Sequence, residues 1–411
     1  MFLATADAFG QPSPNLDAAS LARHNSGDDS FSLVFTPSTG LGPLFNNTAC
    51  EECHVGDGRG QPPSDGVSFL TMLFRASVPG KDANGGPLPA PIFGGQLQLL
   101  AIPGFTPEAS ARVTYTDSVG RYDDGTFYRL AVPHYSFRGI IAPLPGNLLT
   151  SPRIAPVNFG LGLLEAVPAQ EILSHADPND ANRDGISGHA NIVFDAPSQS
   201  NKIGRFGWKA NVASLVHQAA GAFNGDMGIT TSLFPTENCK GEFPGCADHA
   251  PDIADTTFQN VAFYTETLGV PARRNLDDPQ VQAGEQLFDQ IGCDNCHLTT
   301  LFTGTLPGVP SVSNQRIHPY TDLLVHNMGQ ALADNRPDFQ AGGNEWRTPP
   351  LWGIGLVQTV NGHTRFLHDG RARNLTEAVL WHGGEATRAR ERFKSLSASS
   401  RRALIAFLNS L

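Results

Sequence analysis

Cys293-Asp294-Asn295-Cys296-His297 is the stretch that decides the fold, and it has an earlier counterpart in Cys50-Glu51-Glu52-Cys53-His54. Both copies have the form C-x-x-C-H. This spacing is the attachment signature of c-type haem, because both thiols can reach the vinyl groups of one porphyrin and the histidine can bind its iron. The sequence therefore predicts two covalently bound c-type haems. The predicted attachment residues are Cys50, Cys53, Cys293 and Cys296, and the predicted axial ligands are His54 and His297.

A zinc ribbon is the alternative for two cysteine pairs. In a ribbon the second pair follows the first by roughly 15–20 residues, whereas most of this chain separates the two pairs. The remaining cysteines, Cys239 and Cys246, lie seven positions apart in a Gly/Pro-rich loop. In an oxidising compartment they would form a local disulfide, and two free thiols are the alternative.

Composition excludes several classes of partner. The 411 residues are 40% hydrophobic and 16% charged, which is typical of a packed globular protein, and the net charge is −11. An acidic protein repels nucleic acid and anionic membranes, but it is compatible with a basic redox partner. No apolar run is long enough to span a membrane.

The N-terminal sequence lacks the features of a signal peptide. Met1 to Gly10 has neither a basic segment nor an apolar one. Because covalent haem is attached outside the cytoplasm, we expect a periplasmic or secreted protein whose export signal has been removed.

Abundant glycine (43) and proline (31) indicate long ordered loops around helical cores. We expect a mainly α fold with small β-ribbons, one of them between Thr114 and Tyr135, and two cytochrome c-like domains with one haem each. Residues 1–40 would form an N-terminal arm, 41–270 the N-terminal haem domain and 280–411 the C-terminal haem domain. A Pro/Arg/Asp-rich linker separates the two domains.

The segment that begins at Asp180 matches the first half of a calcium-binding loop. Asp180, Asn182 and Asp184 supply side-chain oxygens at alternate positions before Gly185, and Ile186 would add a carbonyl. The twelfth position is Asn191 and not the usual bidentate glutamate. An Asx-rich turn that caps itself is the alternative.

The stretch HDGRARNLTEAV, starting at His368, resembles the C-terminal region of bacterial dihaem cytochrome c peroxidases and MauG-like enzymes. In those enzymes a Met or a Tyr fourteen residues after the motif histidine binds the second haem. Here that position is His382, so the resemblance implies a bis-histidine haem of lower potential than a His/Met haem. A core histidine is the alternative. His326, Met328 and His134 are further ligand candidates.

Longer matches extend the resemblance from about residue 40 to the C-terminus. GLGPLFN, DGISG, GRFGWKAN, PYTDLL, RTPPLWGIG and WHGGEA are similar to the di-haem oxidoreductase family of peroxidase-like proteins. The resemblance implies an oxidoreductase in which the C-terminal haem passes electrons to a reactive N-terminal haem. It also implies peroxide as substrate and a small electron-donor protein, of cytochrome c or cupredoxin type, as partner.

The resemblance also suggests catalytic side chains. Glu165, before a Pro-x-x-Glu helix start, corresponds to the family's acid/base, although the helix dipole alone would favour an acid there. The family's distal Gln is Ala155 here, so Arg153 or Gln96 would polarise the O–O bond instead. Trp208 or Tyr135 would relay electrons between the haems.

Two other functions remain open at this stage. One is a non-catalytic dihaem electron carrier, in which both haems are six-coordinate. The other is a MauG-like enzyme that oxidises a partner protein through Trp346, Trp352 or Trp381, although all three could be core residues.

Overall fold

The computed structural model describes residues 3–239 and 251–411. It is 29% helical and 20% strand, and its sheets are small. The prediction of a mainly α, cytochrome c-like fold is therefore wrong, although a two-domain layout is not excluded. The strands arise because glycine and proline interrupt helices, while segments such as 109–113 alternate buried and exposed residues.

Eleven α-helices lie within the described residues. They are α1 (Ala18–Phe31), α2 (Cys50–Cys53), α3 (Leu161–Glu165), α4 (Ala169–Ser174), α5 (Leu215–Met227), α6 (Asp255–Thr267), α7 (Pro279–Ile291), α8 (Val357–Asn361), α9 (Leu375–Trp381), α10 (Thr387–Ser395) and α11 (Ala398–Ser410).

Fourteen strands lie in the same described part of the chain. They are β1 (Leu44–Phe45), β2 (Met72–Lys81), β3 (Pro87–Leu88), β4 (Gln96–Leu97), β5 (Leu100–Ala101), β6 (Ala109–Arg121), β7 (Phe127–Gly139), β8 (Leu149–Ile154), β9 (Ile192–Asp195), β10 (Ser200–Ile203), β11 (Leu301–Phe302), β12 (Arg316–Ile317), β13 (Val325–Asn327) and β14 (Glu345–Arg347). Strand β2 pairs antiparallel with β3, β4 and β8. The others form two-stranded antiparallel pairs.

Helices α1 and α6 pack together in the N-terminal half. Asp17 caps α1 by accepting a hydrogen bond from the Ser20 amide. Gly27 allows the close approach, because a Cβ at this position would collide with the Asn260 carbonyl and the Tyr264 side chain. Phe31, at the end of α1, packs against the rings of Tyr264 and His54.

Helices α7 and α11 form the corresponding pair in the C-terminal half. Asp278 caps α7, and Pro279 occupies its first turn, where a missing N–H costs nothing. Gly284 brings α7 against the Ala403 backbone of α11. Gly292 ends α7 with φ = 85°, a left-handed conformation that suits glycine. The chain thus leaves α7 directly into Cys293.

Strands β6 and β7 form a long antiparallel ribbon, with Ala109 opposite Gly139 and Arg121 opposite Phe127. Each strand has 13 residues, which corresponds to about 44 Å at the usual rise per residue. The tip of the ribbon contacts the C-terminal helices, where Arg401 forms an ion pair with Asp124 at 2.6 Å. The ribbon predicted between Thr114 and Tyr135 thus lies within a longer one.

One continuous hydrophobic core includes buried residues from both halves of the chain, among them Phe74, Phe159, Phe288 and Phe407. No α-helix in the described ranges is both long enough and apolar enough to cross a membrane.

Candidate haem sites

The C-terminal C-x-x-C-H motif lines a cavity together with His382. Cys293, Cys296 and His297 lie on one side of this cavity, and α9 delivers His382 at its C-terminal end. Asn374 fixes the start of α9 by accepting a hydrogen bond from the Glu377 amide. The structure therefore brings together the two histidines that the sequence pairs as axial ligands.

Backbone carbonyls fix the tautomers of both histidines. Nδ1 of His297 lies 2.9 Å from the Tyr320 carbonyl oxygen, and Nδ1 of His382 lies 2.7 Å from that of Ala378. A carbonyl only accepts, so each Nδ1 carries the hydrogen and each Nε2 keeps its lone pair. Such hydrogen bonds are typical of metal-binding histidines.

Burial keeps these imidazoles neutral. It lowers the pKa of His297 to about 4 and also lowers the pKa of His382. Neutral imidazole is the form that binds a metal. Both side chains are therefore ready to ligate iron at neutral pH.

The N-terminal motif has the same local design. Cys50 and Cys53 form the single turn of α2, and both thiols are free. Nδ1 of His54 donates to the Pro156 carbonyl at 2.7 Å, and burial lowers the pKa of His54 to about 4. The Cys53 thiol lies 3.3 Å from the Leu70 carbonyl oxygen and accepts from Asn47.

Unpartnered polar atoms around the C-terminal cavity fit a haem. Arg59 Nε, Arg347 Nη1 and Trp352 Nε1 are buried and have no hydrogen-bond partner among the described residues, and all three side chains line the cavity. Two guanidinium groups beside an apolar cavity complement a flat apolar ring that carries carboxylates. The residues present therefore fit the group that the cysteine motif predicts.

His326 is a poor ligand candidate in this geometry. Its Nε2 lies 2.7 Å from Asp322 and its Nδ1 2.8 Å from Glu385. Burial opposes a charge here, but hydrogen bonds to Asp322, Cys296 and Glu385 outweigh it and raise the pKa of His326 to about 12. An imidazolium has no lone pair for iron.

The other two ligand candidates differ in position. Met328 lines the C-terminal cavity. His134 is exposed on the ribbon, where it pairs with Thr116.

Glu165 is the last residue of α3 and is buried against the start of α5. One carboxylate oxygen accepts from the Leu215 amide at 3.2 Å, and burial raises the pKa of Glu165 to about 7. Burial, followed by the charge of Glu165, raises the pKa of neighbouring Glu266 to about 8. Sequence reasoning missed Glu266, because its place beside Glu165 depends on the packing of α6 against α3.

The structure does not bring Arg153 or Gln96 into contact with Glu165. The Arg153 guanidinium is held by Ser151, Asn211 and Asp338. Gln96 donates to the Gly225 carbonyl and to Asp226, at the other end of α5 from Leu215. That separation along the helix is about 15 Å, so Glu165 and Gln96 do not face one small substrate.

Asp226 is a further residue that the sequence did not single out. Burial raises its pKa, opposed by the nearby charge of Arg75. Burial also raises the pKa of Cys50 to about 12, with Asp226 adding to the shift. No local motif marks Asp226, because its place near Cys50 depends on how the end of α5 packs.

Trp208 lines the C-terminal cavity, and its Nε1 donates to the Ile154 carbonyl at 2.9 Å. Two residues further along the chain, the Pro156 carbonyl accepts from His54. Tyr135 lies elsewhere, with its hydroxyl 3.3 Å from Asp369 of the HDG motif.

Trp346, Trp352 and Trp381 are each only 6% exposed. None of the three therefore presents a broad indole surface to a partner protein. Trp346 stacks on His368, with 3.7 Å between the ring centroids. The ammonium nitrogen of Lys209 lies 4.5 Å from the centroid of the Trp346 ring.

The Asp180 loop is exposed and hydrogen-bonds to itself. Asp180 accepts from the Gly185 amide, Asn182 from that of Asp184, and Asp184 from that of Ile186. The last two of these bonds form Asx turns, and calcium binding stays a prediction.

The disulfide between Cys239 and Cys246 also stays a prediction. Cys239 is buried, whereas Cys246 lies outside the described residues.

The two motif-bearing sites, with the axial histidine candidates held by carbonyls, define a di-haem protein. The chain belongs to the di-haem oxidoreductase family, since the family model described as "Di-haem oxidoreductase, putative peroxidase" matches residues 3–77 and 146–411. The family predicted from the sequence is thus confirmed, and membership implies two haems.

One solved structure with similarity to this chain is hydrazine synthase from Kuenenia stuttgartiensis, determined under 20 bar of xenon. The sequences are 16% identical, the TM-score is 0.26, and the match covers 41% of this chain and 59% of that chain. This chain thus corresponds to well under two thirds of that protein's length, and we draw no argument from the likeness. No curated protein matches the sequence.

Replacing His382 by glycine is expected to remove the sixth ligand of the C-terminal haem. The C-terminal haem of the oxidised holoprotein should convert from low-spin to high-spin absorption, and added imidazole should restore the low-spin form, because the substitution leaves a gap beside the iron. Met328→Leu, in the same cavity, is the control. An unchanged spin state in His382→Gly, or a loss in Met328→Leu, would assign the ligand elsewhere.

Proposed function

We propose that this protein is a peroxidase-like oxidoreductase with two covalent c-type haems, reactive at the N-terminal site and electron-relaying at the C-terminal site. The observation that carries the proposal is the asymmetry between the sites. His297 and His382 share the C-terminal cavity, which suits a closed relay. The N-terminal motif instead contributes one histidine, His54, held by the Pro156 carbonyl, and lies near the charges of Asp226 and Arg75.

Bound haem would supply the redox-active iron at which peroxide is reduced. Glu165 would hold or release one proton near neutral pH, because burial raises its pKa to about 7. Arg59 and Arg347 would bind the carboxylates of the C-terminal haem. Arg153 would have a structural role and not a catalytic one, because its guanidinium forms an ion pair with Asp338 at 2.9 Å.

Trp208 would bridge the two sites, because it contacts the C-terminal cavity and the strand that leads to Pro156. We propose a small electron-donor protein of cytochrome c or cupredoxin type as partner. The net charge of −11 favours a donor with a basic face. Covalent haem attachment would place the protein in the periplasm or outside the cell.

The deciding experiment adds hydrogen peroxide and, separately, cyanide to the oxidised and half-reduced holoprotein. We expect absorption changes at one haem only, together with peroxide consumption that depends on a reduced donor cytochrome. A pure electron carrier would give the same two low-spin spectra before and after both additions. That result would overturn the peroxidase-like function.

Oxidation of a partner protein is the weaker alternative. It needs an aromatic residue near the surface, and the three tryptophans of the C-terminal half are buried. Crosslinks or radicals on a partner after peroxide addition would favour it.

A further inference from the structure

A second cavity lies beside the attachment edge of the N-terminal haem site. Its volume is about 570 Å³, within the range of roughly 300–1,000 Å³ that is usual for small-molecule sites. Residues 67–70 form one wall, and the base of the β6–β7 ribbon forms another. We name this cavity the haem-edge cleft.

The cleft is linked to Cys53 through Leu70. Leu70 lines it, and the Leu70 carbonyl oxygen is 3.3 Å from the Cys53 sulfur. The Asn47 side-chain amide donates to the Cys53 sulfur and to the Leu70 carbonyl oxygen. One residue, Leu70, therefore separates a molecule in the cleft from the sulfur through which the N-terminal haem is predicted to be attached.

Apolar side chains remain exposed around the cleft. Val67 is 53% exposed, Leu70 57% and Ile140 48%. Exposed aliphatic groups that cluster at a concave surface are more typical of a binding site than isolated ones are. This wall would cover the apolar part of a ligand.

Two arginines give the cleft a positive charge in an acidic protein. Arg112 lies opposite Ser136, and Arg138 opposite Ser110, so the arginines form a diagonal pair on the exposed face of the ribbon. Side chains on such a diagonal are roughly 7–8 Å apart at their base, close enough for both guanidinium groups to reach one anionic group. Neither has an ion-pair partner within residues 3–239 and 251–411, and no acidic residue lines the cleft.

The family match covers only one wall of the cleft. Residues 67–70 lie inside the matched part, whereas the wall formed by the ribbon falls in 78–145, which the family model leaves unmatched. The cleft thus combines a segment inside the family match and a ribbon outside it.

We propose that the haem-edge cleft binds a small amphipathic organic anion, with an apolar ring or chain against Val67, Leu70 and Ile140 and its carboxylate on Arg112 and Arg138. This assignment rests on the cavity, the exposed apolar wall and the unpaired charges. It is independent of the proposed peroxidase-like function.

Calorimetric titration of the holoprotein with naphthalene-2-carboxylate tests the site without peroxide or donor. The double variant Arg112→Gln/Arg138→Gln should weaken binding by about tenfold or more, because both charge-assisted contacts are lost. The control Arg129→Gln, on the same ribbon but outside the cleft, should bind within about twofold of the unmodified protein, as expected for an exposed surface pair. The haem spectrum of each variant should be unchanged.

The neutral analogue 2-naphthalenemethanol completes the test. It should bind more weakly than the carboxylate. Its affinity should be the same for the unmodified protein, the double variant and the Arg129→Gln control. The proposal is overturned if the unmodified protein does not bind the carboxylate, or if the double variant binds it as strongly as the unmodified protein does. Because this titration involves no turnover, its failure is distinct from a failure of the peroxidase-like function.

Discussion

Replacing Cys293 and Cys296 together by alanine is expected to give a protein with one covalent haem instead of two. The two thiols of the motif are the predicted attachment points, and both are free and line the cavity that His297 and His382 also line. Without thioether bonds, retention of that haem would depend on weaker noncovalent contacts. The thermal midpoint should also fall, since an unfilled cavity between α7 and α11 costs packing energy.

The mass of the denatured protein measures this effect, because covalent haem survives unfolding. The matched variant Cys50→Ala/Cys53→Ala should lose the other haem, and the combination of all four substitutions should lose both. Either double variant that still carried two covalent haems would refute the assignment of its motif. Comparison of the two double variants also assigns each haem spectrum to its site.

Replacing Glu165 by glutamine is expected to lower peroxide turnover by about 10²–10³-fold while both haems stay bound. A base must be ionised before it accepts a proton from peroxide. Since burial raises the pKa of Glu165 to about 7, turnover in the unmodified protein should rise with pH through about 7 and then level off. The amide cannot titrate, so the variant should lack this limb of the profile.

Glu171→Gln is the matched control, because Glu171 lies on the neighbouring helix α4 and pairs at the surface with His175 at 3.9 Å. Its turnover and pH profile should match those of the unmodified protein. If the Glu165→Gln variant has normal turnover, the role of this carboxyl is structural and lies in its hydrogen bond to the start of α5. A loss of turnover in Glu171→Gln instead would point to α4 as a whole.

The haem motifs were readable from the sequence because their chemistry is local. Two cysteines and a histidine within one turn form a pattern that depends on no long-range contact, and the structure places them directly after α7, which begins at Pro279 and ends before Gly292. His382 required the resemblance to relatives, since a lone histidine at a helix end is uninformative. The structure adds that its Nδ1 is held by its own helix.

The fold class was not readable in the same way. Strand β1 has only two residues and pairs with β5, so that Leu44 lies opposite Ala101. Pairings between short, distant segments leave no periodic signal, and tertiary contacts decide them. The ribbon was partly predicted because its turn is local, but its full length from Ala109 to Gly139 was not.

Long-range partners explain the outcome for the catalytic candidates as well. Arg153 was chosen for its place near the expected distal residue, yet its charge is matched by Asp338, 185 positions away. Lys209 and Asp334, which form another buried ion pair, are 125 positions apart. No local pattern marks a guanidinium as already neutralised.

The β6–β7 ribbon limits how the two halves of the molecule can move. Its base adjoins the N-terminal motif, and its tip is fixed by Asp124 to Arg401 and by Tyr122 to Phe393. Paired domains usually hinge relative to each other unless a large interface prevents it. Here one hydrophobic core includes residues of both halves, and the ribbon adds a contact at its tip. We therefore expect little hinge motion between the halves.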